Sequence, residues 1–227
     1  MDKVLVKYTD VSIKYGKYEA VKNASFEVLK GDFLNIIGPN GAGKTTLIKS
    51  LIHEINLSSG KIEMFTEHMG YVPQKLMLKR NFPITVLEFI YTGYPNPKFR
   101  IPKHAIEEIK VYLNKMDLEE NILNQKINSL SGGELQRIYL IRSLISNPEI
   151  LILDEPASAL DPSFREKFYH ILHDIKKEKD MTILHITHDL TDVVLDHSKV
   201  MYVDQTIQFI GKYEDYKAFE HEGHHHG

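Results

Sequence analysis

One stretch decides the fold: Gly38-Pro39-Asn40-Gly41-Ala42-Gly43-Lys44-Thr45-Thr46. It fits the spacing G-x-x-x-x-G-K-[ST] without a mismatch. The preceding residues, Asp32–Ile37, form an apolar run of strand length, and Thr46–Ile52 after it place leucine and isoleucine on one face of a helix. Because a strand, a glycine-rich loop and a helix follow each other in this order, the stretch predicts a phosphate-binding loop.

The residue types of this loop suit a nucleoside triphosphate. Glycines let the backbone curl until successive N–H groups point into one concavity, and the helix that follows adds its positive dipole end. Lys44 brings a point charge to the terminal phosphates, and the hydroxyl of Thr45 can bind the Mg²⁺ that accompanies the nucleotide. The alternative is a glycine-rich turn with an incidental Lys-Thr pair, which the flanking strand and helix disfavour.

A second candidate site follows the apolar run Ile150–Leu153, which does not alternate and therefore indicates a strand covered on both faces. Asp154 and Glu155 come at its carboxyl end, where open α/β sheets place their ligands. Asp154 is suited to hold Mg²⁺ through water, and Glu155 to orient or deprotonate an attacking water. The alternative, a pair of helix-capping acids, is disfavoured because buried carboxylates need a nearby cation or proton.

Three weaker signals remain ambiguous when the residues are considered alone. Tyr15, two strands before the phosphate loop, could stack on a nucleotide base, but a half-buried strand tyrosine is the favoured interpretation. Leu130-Ser131-Gly132-Gly133-Glu134 opens a helix and could be a second anion site, but such a sequence is more often only a helix cap. His188 follows the strand Met181–Thr187 and lies at the same kind of strand end as Asp154.

Periodicity and turn residues predict the remaining elements. The predicted strands and turn are Lys3–Tyr8, Val11–Tyr15, Ala24–Leu29, the turn Ser58–Gly60, Lys61–Met64, Met69–Val72, and the pair Lys199–Val203 and Thr206–Ile210. The predicted helices are Thr85–Tyr91 with a capping box from Thr85 to Glu88, Lys103–Met116, Glu134–Ser146, an exposed charged helix Ser163–Lys179, Leu190–Asp196, and Tyr213–His221. The loops Tyr94–Pro97 and Ala157–Pro162 separate them.

The predicted apolar face of Glu134–Ser146 holds Leu135, Ile138, Ile141, Leu144 and Ile145. From Gln74 to about Asn147 the pattern is helical, so we expect a helical subdomain inserted into the α/β core.

Composition limits the function classes. The chain has 227 residues, is 42% hydrophobic and 26% charged, and carries a formal net charge of -3, which gives no case for a nucleic-acid-binding surface. It has no cysteine, so no disulfide framework is expected. The first residues lack the apolar core of a signal peptide, and no apolar run approaches the length needed to span a bilayer. We therefore expect that any membrane span is supplied by another chain.

Together these motifs resemble the ATPase subunit of ABC transporters, over essentially the whole chain. Gly38–Thr46 looks like Walker A, Ile150–Glu155 like Walker B with the catalytic glutamate, and Leu130–Glu134 like the LSGGQ signature. Gln74 stands at the position of the Q-loop, Ser158–Asp161 at that of the D-loop, and His188 at that of the switch histidine. Tyr15 falls where the family has its base-stacking aromatic, which reverses the preference stated above.

The resemblance implies one ABC ATPase domain over residues 1–220. Its fold class is α/β: a P-loop NTPase core with a mainly parallel central sheet, an N-terminal antiparallel β subdomain and an inserted helical subdomain. The core and β subdomain take residues 1–73 and 148–220, and the helical subdomain with the signature takes 74–147. The implied partners are a second copy, bound head-to-tail on ATP binding, and an integral-membrane permease, with the ATPase peripheral on the cytoplasmic face of the cell membrane.

The resemblance also assigns roles. The catalytic residues would be Glu155, His188, Lys44 and Gln74. ATP would be held by Tyr15, Gly38, Pro39, Asn40, Gly41, Ala42, Gly43, Lys44, Thr45 and Thr46, and in trans by Ser131, Gly132, Gly133 and Asp161. Mg²⁺ would be held by Thr45, Gln74 and Asp154.

A second resemblance concerns the transported solute. Gly70–Lys75, followed by Phe82-Pro83-Ile84-Thr85-Val86, is similar to the ATPases of zinc, manganese and iron(II) importers, which implies an extracytoplasmic metal-binding protein as an indirect partner. Glu134 replaces the usual signature glutamine, as it often does in that branch, and leaves the contact of this side chain open. The rival interpretations are a soluble ABC ATPase without a transport role, a P-loop kinase or GTPase, and an exporter ATPase.

The chain ends in His221-Glu222-Gly223-His224-His225-His226-Gly227. Such a sequence could be a truncated purification tag, a disordered terminus or a metal-responsive tail. A tag normally carries six consecutive histidines, so a native tail with weak metal binding is the favoured interpretation.

Overall fold

The computed structural model describes residues 3–76, 83–188 and 198–223, with side chains as far as residue 220. The chain forms two compact units, Met1–Glu67 with Asp180–Gly227, and His68–Lys179. The first unit contains β1 (Val4–Tyr15), β2 (Tyr18–Leu29), β3 (Phe33–Ile37), α1 (Lys44–Leu51), β4 (Ser59–Met64), β7 (Thr182–Ile186), β8 (Lys199–Asp204), β9 (Thr206–Lys212) and α6 (Tyr213–Gly223). The second contains β5 (Met69–Val72), α2 (Val86–Tyr91), α3 (Lys103–Lys115), α4 (Gly132–Leu144), β6 (Ile150–Asp154), α5 (Pro162–Lys179) and two short 3₁₀ helices, Glu120–Asn124 and Ile127–Ser129.

An antiparallel sheet with the strand order β2-β1-β4 occupies the amino-terminal part of the first unit. The two strands predicted over residues 3–15 are one strand, because the chain passes Asp10 with a positive φ of 49° and a shift in register rather than a break. The predicted turn at Ser58–Gly60 is wrong in part, since Ser59 and Gly60 begin β4. A Cβ atom on Gly60 would lie 2.3 Å from the carbonyl oxygen of Asp10, so glycine permits the close approach of the two strands at this bulge.

Parallel strands β7, β3 and β8 form the sheet that carries the phosphate loop, and β9 adds antiparallel to β8. Every residue of β3 and β7 is buried, as their apolar sequences predict for strands in a parallel sheet. One polar pair interrupts this core, with His185 Nδ1 3.0 Å from Asn35 Oδ1. Burial lowers the pKa of His185 to about 3, so the imidazole is neutral at pH 7.

Helix α6 closes the first unit through aromatic side chains. Tyr216 is buried with Ile37 and Val200, and the rings of Phe209 and Phe219 lie 5.2 Å apart beside it. Aromatic groups of this size contribute large apolar areas, which accounts for the attachment of a short, charged helix.

The second unit is built around α4, which follows the loop from α3 and lies beside β5 and α2. Its predicted apolar face is correct for Ile138, Ile141, Leu144 and Ile145, but Leu135 is only half-buried. Gln136, Leu140 and Ser143 are buried instead, because α2 and β5 pack against other sides of the helix. The backbones of β5 and of the end of α2 approach α4 closely. A Cβ on Gly70 would lie 2.6 Å from Ser143 O, and a Cβ on Gly93 would lie 2.2 Å from Arg142 O.

Helix α5 is not the exposed helix that its charges suggested. Six of its side chains are buried and line one face: Phe164, Phe168, Tyr169, Ile171, Leu172 and Ile175. They recur at intervals of three and four residues, so the helix is amphipathic and its lysines occupy only the outer face.

The capping box predicted for α2 is present, with Thr85 as the N-cap residue and Glu88 as its partner. Helix α3 ends one residue before the predicted Met116, and the loop at residues 94–97 is confirmed. Phe82, the predicted helix Leu190–Asp196 and the histidines of residues 224–226 lie outside the described residues. In the part of the chain that is described, no helix is both long enough and apolar enough to cross a membrane.

Candidate active site

The phosphate loop leaves the carboxyl end of β3 and enters α1 at Lys44. Gly38 has φ 145° and Gly43 has φ 95°, conformations that residues with a side chain rarely adopt. Close packing adds a second reason for glycine: a Cβ on Gly38 would lie 2.0 Å from Val203 O, and one on Gly43 2.2 Å from Ala20 O. The loop therefore packs tightly against the backbones of β8 and β2.

Lys44 is almost completely buried, with 6% of its surface exposed. Its Nζ donates hydrogen bonds to the carbonyl oxygens of Gly38, at 2.7 Å, and Pro39, at 2.9 Å. The ammonium group is thus held inside the curve of the loop that the sequence predicts to bind phosphate. Thr45 and Thr46 follow in the first turn of α1 and are half-buried.

Two residues that sequence reasoning missed also hold the loop. The backbone N–H of Gln205, between β8 and β9, donates to Ala42 O at 2.9 Å. The hydroxyl of Tyr18 donates to Gly41 O at 2.9 Å. Neither contact has a local sequence signal, because each joins the loop to a turn that is distant in the chain.

Tyr15 lies at the end of the β1–β2 hairpin, directly opposite Tyr18 in the strand register. About half of the surface of Tyr15, 51%, is exposed, so its ring is accessible from solvent. Because Tyr18 ties this same hairpin to the phosphate loop, Tyr15 presents an accessible ring on an element attached to the loop.

His188 lies two residues after the end of β7, and its side chain is exposed. Strands β3 and β7 are parallel, with Ile36 opposite Ile186, and Thr187 N donates to Ile36 O at 3.2 Å. The two strands therefore end together, so that His188 and Gly38 leave the same edge of the sheet. This placement agrees with the strand-end position predicted for the histidine.

The second unit brings together Gln74 and Glu155. Strands β5 and β6 are parallel, with Val72 opposite Leu153, so the residues that follow them leave the same edge. Gln74 Nε2 donates to Glu155 Oε2 at 2.8 Å. Glu155 has a positive φ of 48°, an unfavourable conformation for a residue with a long side chain and one that is often found at functional sites.

Asp154, the last residue of β6, is buried with 1% of its surface exposed. Glu155 after it is half-buried, and its carbonyl oxygen accepts a hydrogen bond from Ser158 Oγ at 2.9 Å. This hydrogen bond within the loop after β6 stabilises the loop. The two neighbouring carboxylates differ in burial, since Asp154 is buried and Glu155 is partly exposed.

Asp161 caps α5. Its Oδ1 accepts hydrogen bonds from the hydroxyl of Ser163 and from the backbone N–H of Phe164, the latter at 2.9 Å. These two hydrogen bonds, the one from Ser163 first, lower the pKa of Asp161. Pro162 occupies the first position of the helix, where its missing N–H costs nothing.

The Ser-Gly-Gly motif begins α4, with Ser131 as the N-cap residue. Ser131 and Gly132 are exposed, and a Cβ on Gly133 would lie 3.4 Å from Ala159 O, in the loop before α5. Arg137, one turn later, donates to Gly133 O at 3.3 Å and lies 4.5 Å from the centre of the Phe164 ring. The motif and the start of α5 therefore pack together through Arg137.

Glu134 completes a capping box at this helix start, which answers the question left open by the sequence. Its carboxylate accepts from Ser131 N at 2.9 Å and from Ser131 Oγ at 2.6 Å. The hydrogen bond from the Ser131 hydroxyl, followed by that from its backbone, lowers the pKa of Glu134.

These residues are of the types that a nucleotide and its magnesium ion require. Lys44 and the start of α1 offer positive charge to phosphate, and the oxygen atoms of Thr45, Gln74 and Asp154 are donors that Mg²⁺ prefers. Within the described residues, no group of three or more His, Cys, Asp or Glu side chains is placed to hold a metal ion. A tight glycine-rich loop between a buried parallel strand and a helix defines the class of the chain as a P-loop nucleotide-binding α/β protein.

The comparisons with known proteins give the family. The sequence model of the ABC transporter family matches residues 21–158. The chain is 38% identical to the zinc import ATP-binding protein ZnuC of Rickettsia bellii, over 88% of this chain and 83% of that protein. It is 33% identical to the zinc uptake system ATP-binding protein ZurA of Listeria monocytogenes, over 96% and 89% of the two chains.

A solved structure shows the same fold. The bacterial ABC transporter cassette MJ0796, in its dimeric form, superposes with a TM-score of 0.79 at 25% identity, over 92% of this chain and 98% of that one. The chain belongs to the ABC transporter family and is an ATP-binding ATPase of that family. The predicted fold class, the resemblance to ABC ATPases and the enzyme class are confirmed.

Proposed function

We propose that this ATPase powers the uptake of a divalent metal ion, zinc first and manganese or iron(II) as further candidates, through a separate membrane permease. The support for zinc is the similarity to ZnuC and ZurA, the first of which is named for zinc import and the second for zinc uptake. In this proposal the chain lies on the cytoplasmic face of the membrane, and an extracytoplasmic metal-binding protein delivers the ion to the permease.

The contact between Gln74 and Glu155 is the observation that carries the mechanism. Glu155 accepts the proton of an attacking water or orients that water, and the amide of Gln74 holds the carboxylate in place at 2.8 Å. Gln74 precedes α2 in the sequence, and in this proposal a change at Glu155 acts through Gln74 on the helical part of the second unit. Gln74 therefore couples hydrolysis to the permease.

The other site residues hold the nucleotide. Lys44 and the Gly38–Thr46 backbone bind the phosphates, Tyr15 stacks on the base, and His188 contacts the γ-phosphate. Thr45, Asp154 and Gln74 would hold Mg²⁺, which would supply positive charge beside the phosphates when bound. These roles rest on the exposed ring of Tyr15, the buried Lys44 and the shared strand edge of Gly38 and His188.

A second copy of the chain completes the site. Ser131 and Gly132 are exposed at the helix start, where the N–H groups of Gly132 and Gly133 can bind the γ-phosphate held by a partner. The Ser131 hydroxyl donates to Glu134 in the single chain and would exchange this acceptor for the phosphate. Asp161, at the start of α5 beside this motif, takes part in the same interface. The dimeric form of the MJ0796 cassette supports a pair of copies, and the head-to-tail arrangement is our proposal.

The decisive experiment compares Glu155→Gln with Lys44→Ala in gel filtration with and without ATP and Mg²⁺. Glu155→Gln removes the base but keeps the nucleotide site, so it should form a stable ATP-bound dimer and lose at least about 10²-fold in turnover. Lys44→Ala should remain monomeric because it does not hold ATP. A Glu155→Gln protein that stays monomeric with ATP would count against the head-to-tail pair.

Metal specificity needs a separate measurement. Cells that lack the gene and carry the chain on a plasmid should recover uptake of zinc in a panel with manganese and iron(II), and lose it with Glu155→Gln. Restored uptake of none of these ions would reject metal import while leaving the ATPase assignment intact.

A further inference from the structure

The loop between α2 and α3 carries a phenylalanine at the surface. Phe99 is fully exposed, at 104% of its reference surface. The burial of a side chain of this size removes enough apolar area from water to stabilise a protein or a complex substantially. A phenylalanine that is left entirely in solvent is therefore a candidate contact for something outside the chain.

The loop that carries Phe99 is firmly held. Lys98 N donates to Tyr91 Oη at 2.9 Å, and the ring of Tyr91, which is buried, lies 5.3 Å from that of Tyr94. Tyr94 Oη donates to Glu108 Oε2 at 2.6 Å, and Arg142 Nε donates to Thr92 Oγ1 at 2.8 Å. The loop thus has fixed contacts with α2, α3 and α4, so the exposure of Phe99 is a property of an ordered element.

The charged side chains that flank Phe99 in the sequence are basic, and the first acidic ones after it are at positions 107 and 108 on α3. Lys98, Arg100 and Lys103 are exposed, and residues 96–106 contain no acidic side chain, although the whole chain has a net charge of -3. Within the described residues, none of these three basic side chains forms an ion pair. Their positive field is therefore available to an acidic partner.

We infer that Phe99, with Lys98, Arg100 and Lys103, binds the surface of an anionic lipid bilayer, the phenylalanine entering the headgroup region and the three cations lying among the phosphates. A protein interface usually has a core of several apolar side chains. Among the described residues of the second unit, the only other exposed large apolar side chain is Val111. A single aromatic ring among basic side chains suits a lipid surface better, because both parts find partners there without a pocket.

The absence of tryptophan from the chain allows a direct test. The Phe99→Trp protein should shift its emission to shorter wavelength with vesicles of phosphatidylglycerol and phosphatidylcholine in equal parts, and not with phosphatidylcholine alone. The matched control is Phe65→Trp, since Phe65 is 55% exposed but lies between Glu63 and Glu67. Its emission should not change with either vesicle.

Flotation with the same vesicles, which contain no permease, gives the magnitudes. Phe99→Ser should lower the binding constant for the vesicles at least about tenfold. Lys98→Gln with Arg100→Gln should lower it about twenty-five-fold, at roughly fivefold for each charge. High salt should release the wild type from the vesicles.

The ATPase activity of these variants without vesicles should be unchanged, so this inference and the proposed function can fail separately. Equal shifts for both tryptophan proteins, equal binding to neutral vesicles, or binding that requires a permease would overturn the lipid contact.

Discussion

Two helices of the second unit begin with the same capping box, and only one of them has an open N-terminus. In α2, Thr85 N donates to Glu88 Oε2 at 2.7 Å, and Glu88 N donates back to Thr85 Oγ1 at 3.2 Å. In α4, the corresponding distances between Ser131 and Glu134 are 2.9 Å and 3.3 Å. The local chemistry is the same, so the difference between the two helix starts must lie in their surroundings.

The start of α2 is closed by its own unit. Val86 N donates to Gln125 O at 3.0 Å, and Ile127 N donates to Ile84 O at 3.1 Å, so the 120–129 segment runs across it. At the start of α4, Ser131 and Gly132 are exposed, and glycine leaves space beside the backbone. A capping box therefore identifies a helix start, and the exposure of the backbone around it decides whether an anion can reach it.

The largest difference between the two boxes should appear in ATP turnover. Ser131→Ala removes a hydroxyl donor proposed to contact the γ-phosphate of a partner, and we expect a loss of about 10²-fold in steady-state hydrolysis. Thr85→Ala, which removes the same group from the closed helix start, should hydrolyse ATP at the wild-type rate. The measurement is phosphate release at saturating ATP and Mg²⁺.

Equal losses of ATP hydrolysis in the two variants would contradict this difference, because both substitutions would then act by destabilising the fold. A wild-type rate for Ser131→Ala would remove the Ser131 hydroxyl from the proposed trans contact. Ser131→Thr, which keeps the hydroxyl, should recover part of the rate.

A smaller difference is expected at the acidic members of the boxes. Glu134→Gln keeps a capping oxygen but removes a negative charge beside the proposed position of a triphosphate. At about 7 Å and an effective dielectric constant of about 40, one such repulsion is worth about 1 kcal/mol, so the ATP concentration for half-maximal dimer should fall about fivefold. Glu88→Gln should not change this ATP concentration. Both substitutions are made in the Glu155→Gln background, where ATP is not consumed.

Salt distinguishes this electrostatic effect from a change in shape. The gain from Glu134→Gln should shrink as salt screens the carboxylate from the phosphates. A gain that is independent of salt, or one of equal size for Glu88→Gln, would show that the Glu134 charge does not oppose closure.

The third prediction concerns stability, in which the two boxes should agree. Thr85→Ala and Ser131→Ala each remove an N-cap hydrogen bond, and each should lower the free energy of unfolding by about 1 kcal/mol. Urea unfolding, monitored by circular dichroism, measures the free energy of unfolding of both variants. A loss confined to one variant would show that the other helix start does not depend on its cap.

The sequence allowed the first box to be predicted but not the second, although the spacing is the same. Thr85 and Glu88 precede an apolar run, whereas the two glycines after Ser131 drew attention to anion binding and left the Glu134 contact open. The signal was present, since Ser-x-x-Glu is the same pattern as Thr-x-x-Glu. Helix α5 was misjudged for a similar reason, because its many charges obscured the regular spacing of Phe164, Phe168 and Ile175.

Local patterns account for the parts that were predicted correctly. The phosphate loop, the buried strand before Asp154 and the capping of α2 each depend on residues within about ten positions of one another. The contact between Gln74 and Glu155 joins residues 81 positions apart, and those of Tyr18 and Gln205 with the phosphate loop depend on turns elsewhere in the sheet. Physical reasoning on sequence gives no distance for such pairs, because they are set by strand order and register.

The smallest predicted effect is the acid response of the two boxes. Hydrogen bonds from Thr85 lower the pKa of Glu88, the backbone bond first, and those from Ser131 lower the pKa of Glu134. A carboxylate whose folded pKa is depressed adds stability above its unfolded pKa of about 4.3 and loses it as the pH falls through the folded value. Glu88 is exposed and Glu134 is only half-buried, so each contribution should be below about 1 kcal/mol.

His185 sets the background for this measurement. With its pKa lowered to about 3, it destabilises every variant alike as the pH falls below about 6.5, because the unfolded chain then binds a proton that the folded chain does not. The informative quantity is therefore the difference in unfolding free energy between wild type and Glu88→Gln or Glu134→Gln. This difference should be constant from pH 7 to about 5 and should shrink below about 4.5 by the same amount for both. A difference that persists unchanged at pH 3.5 would show that the carboxylates do not act through their charge.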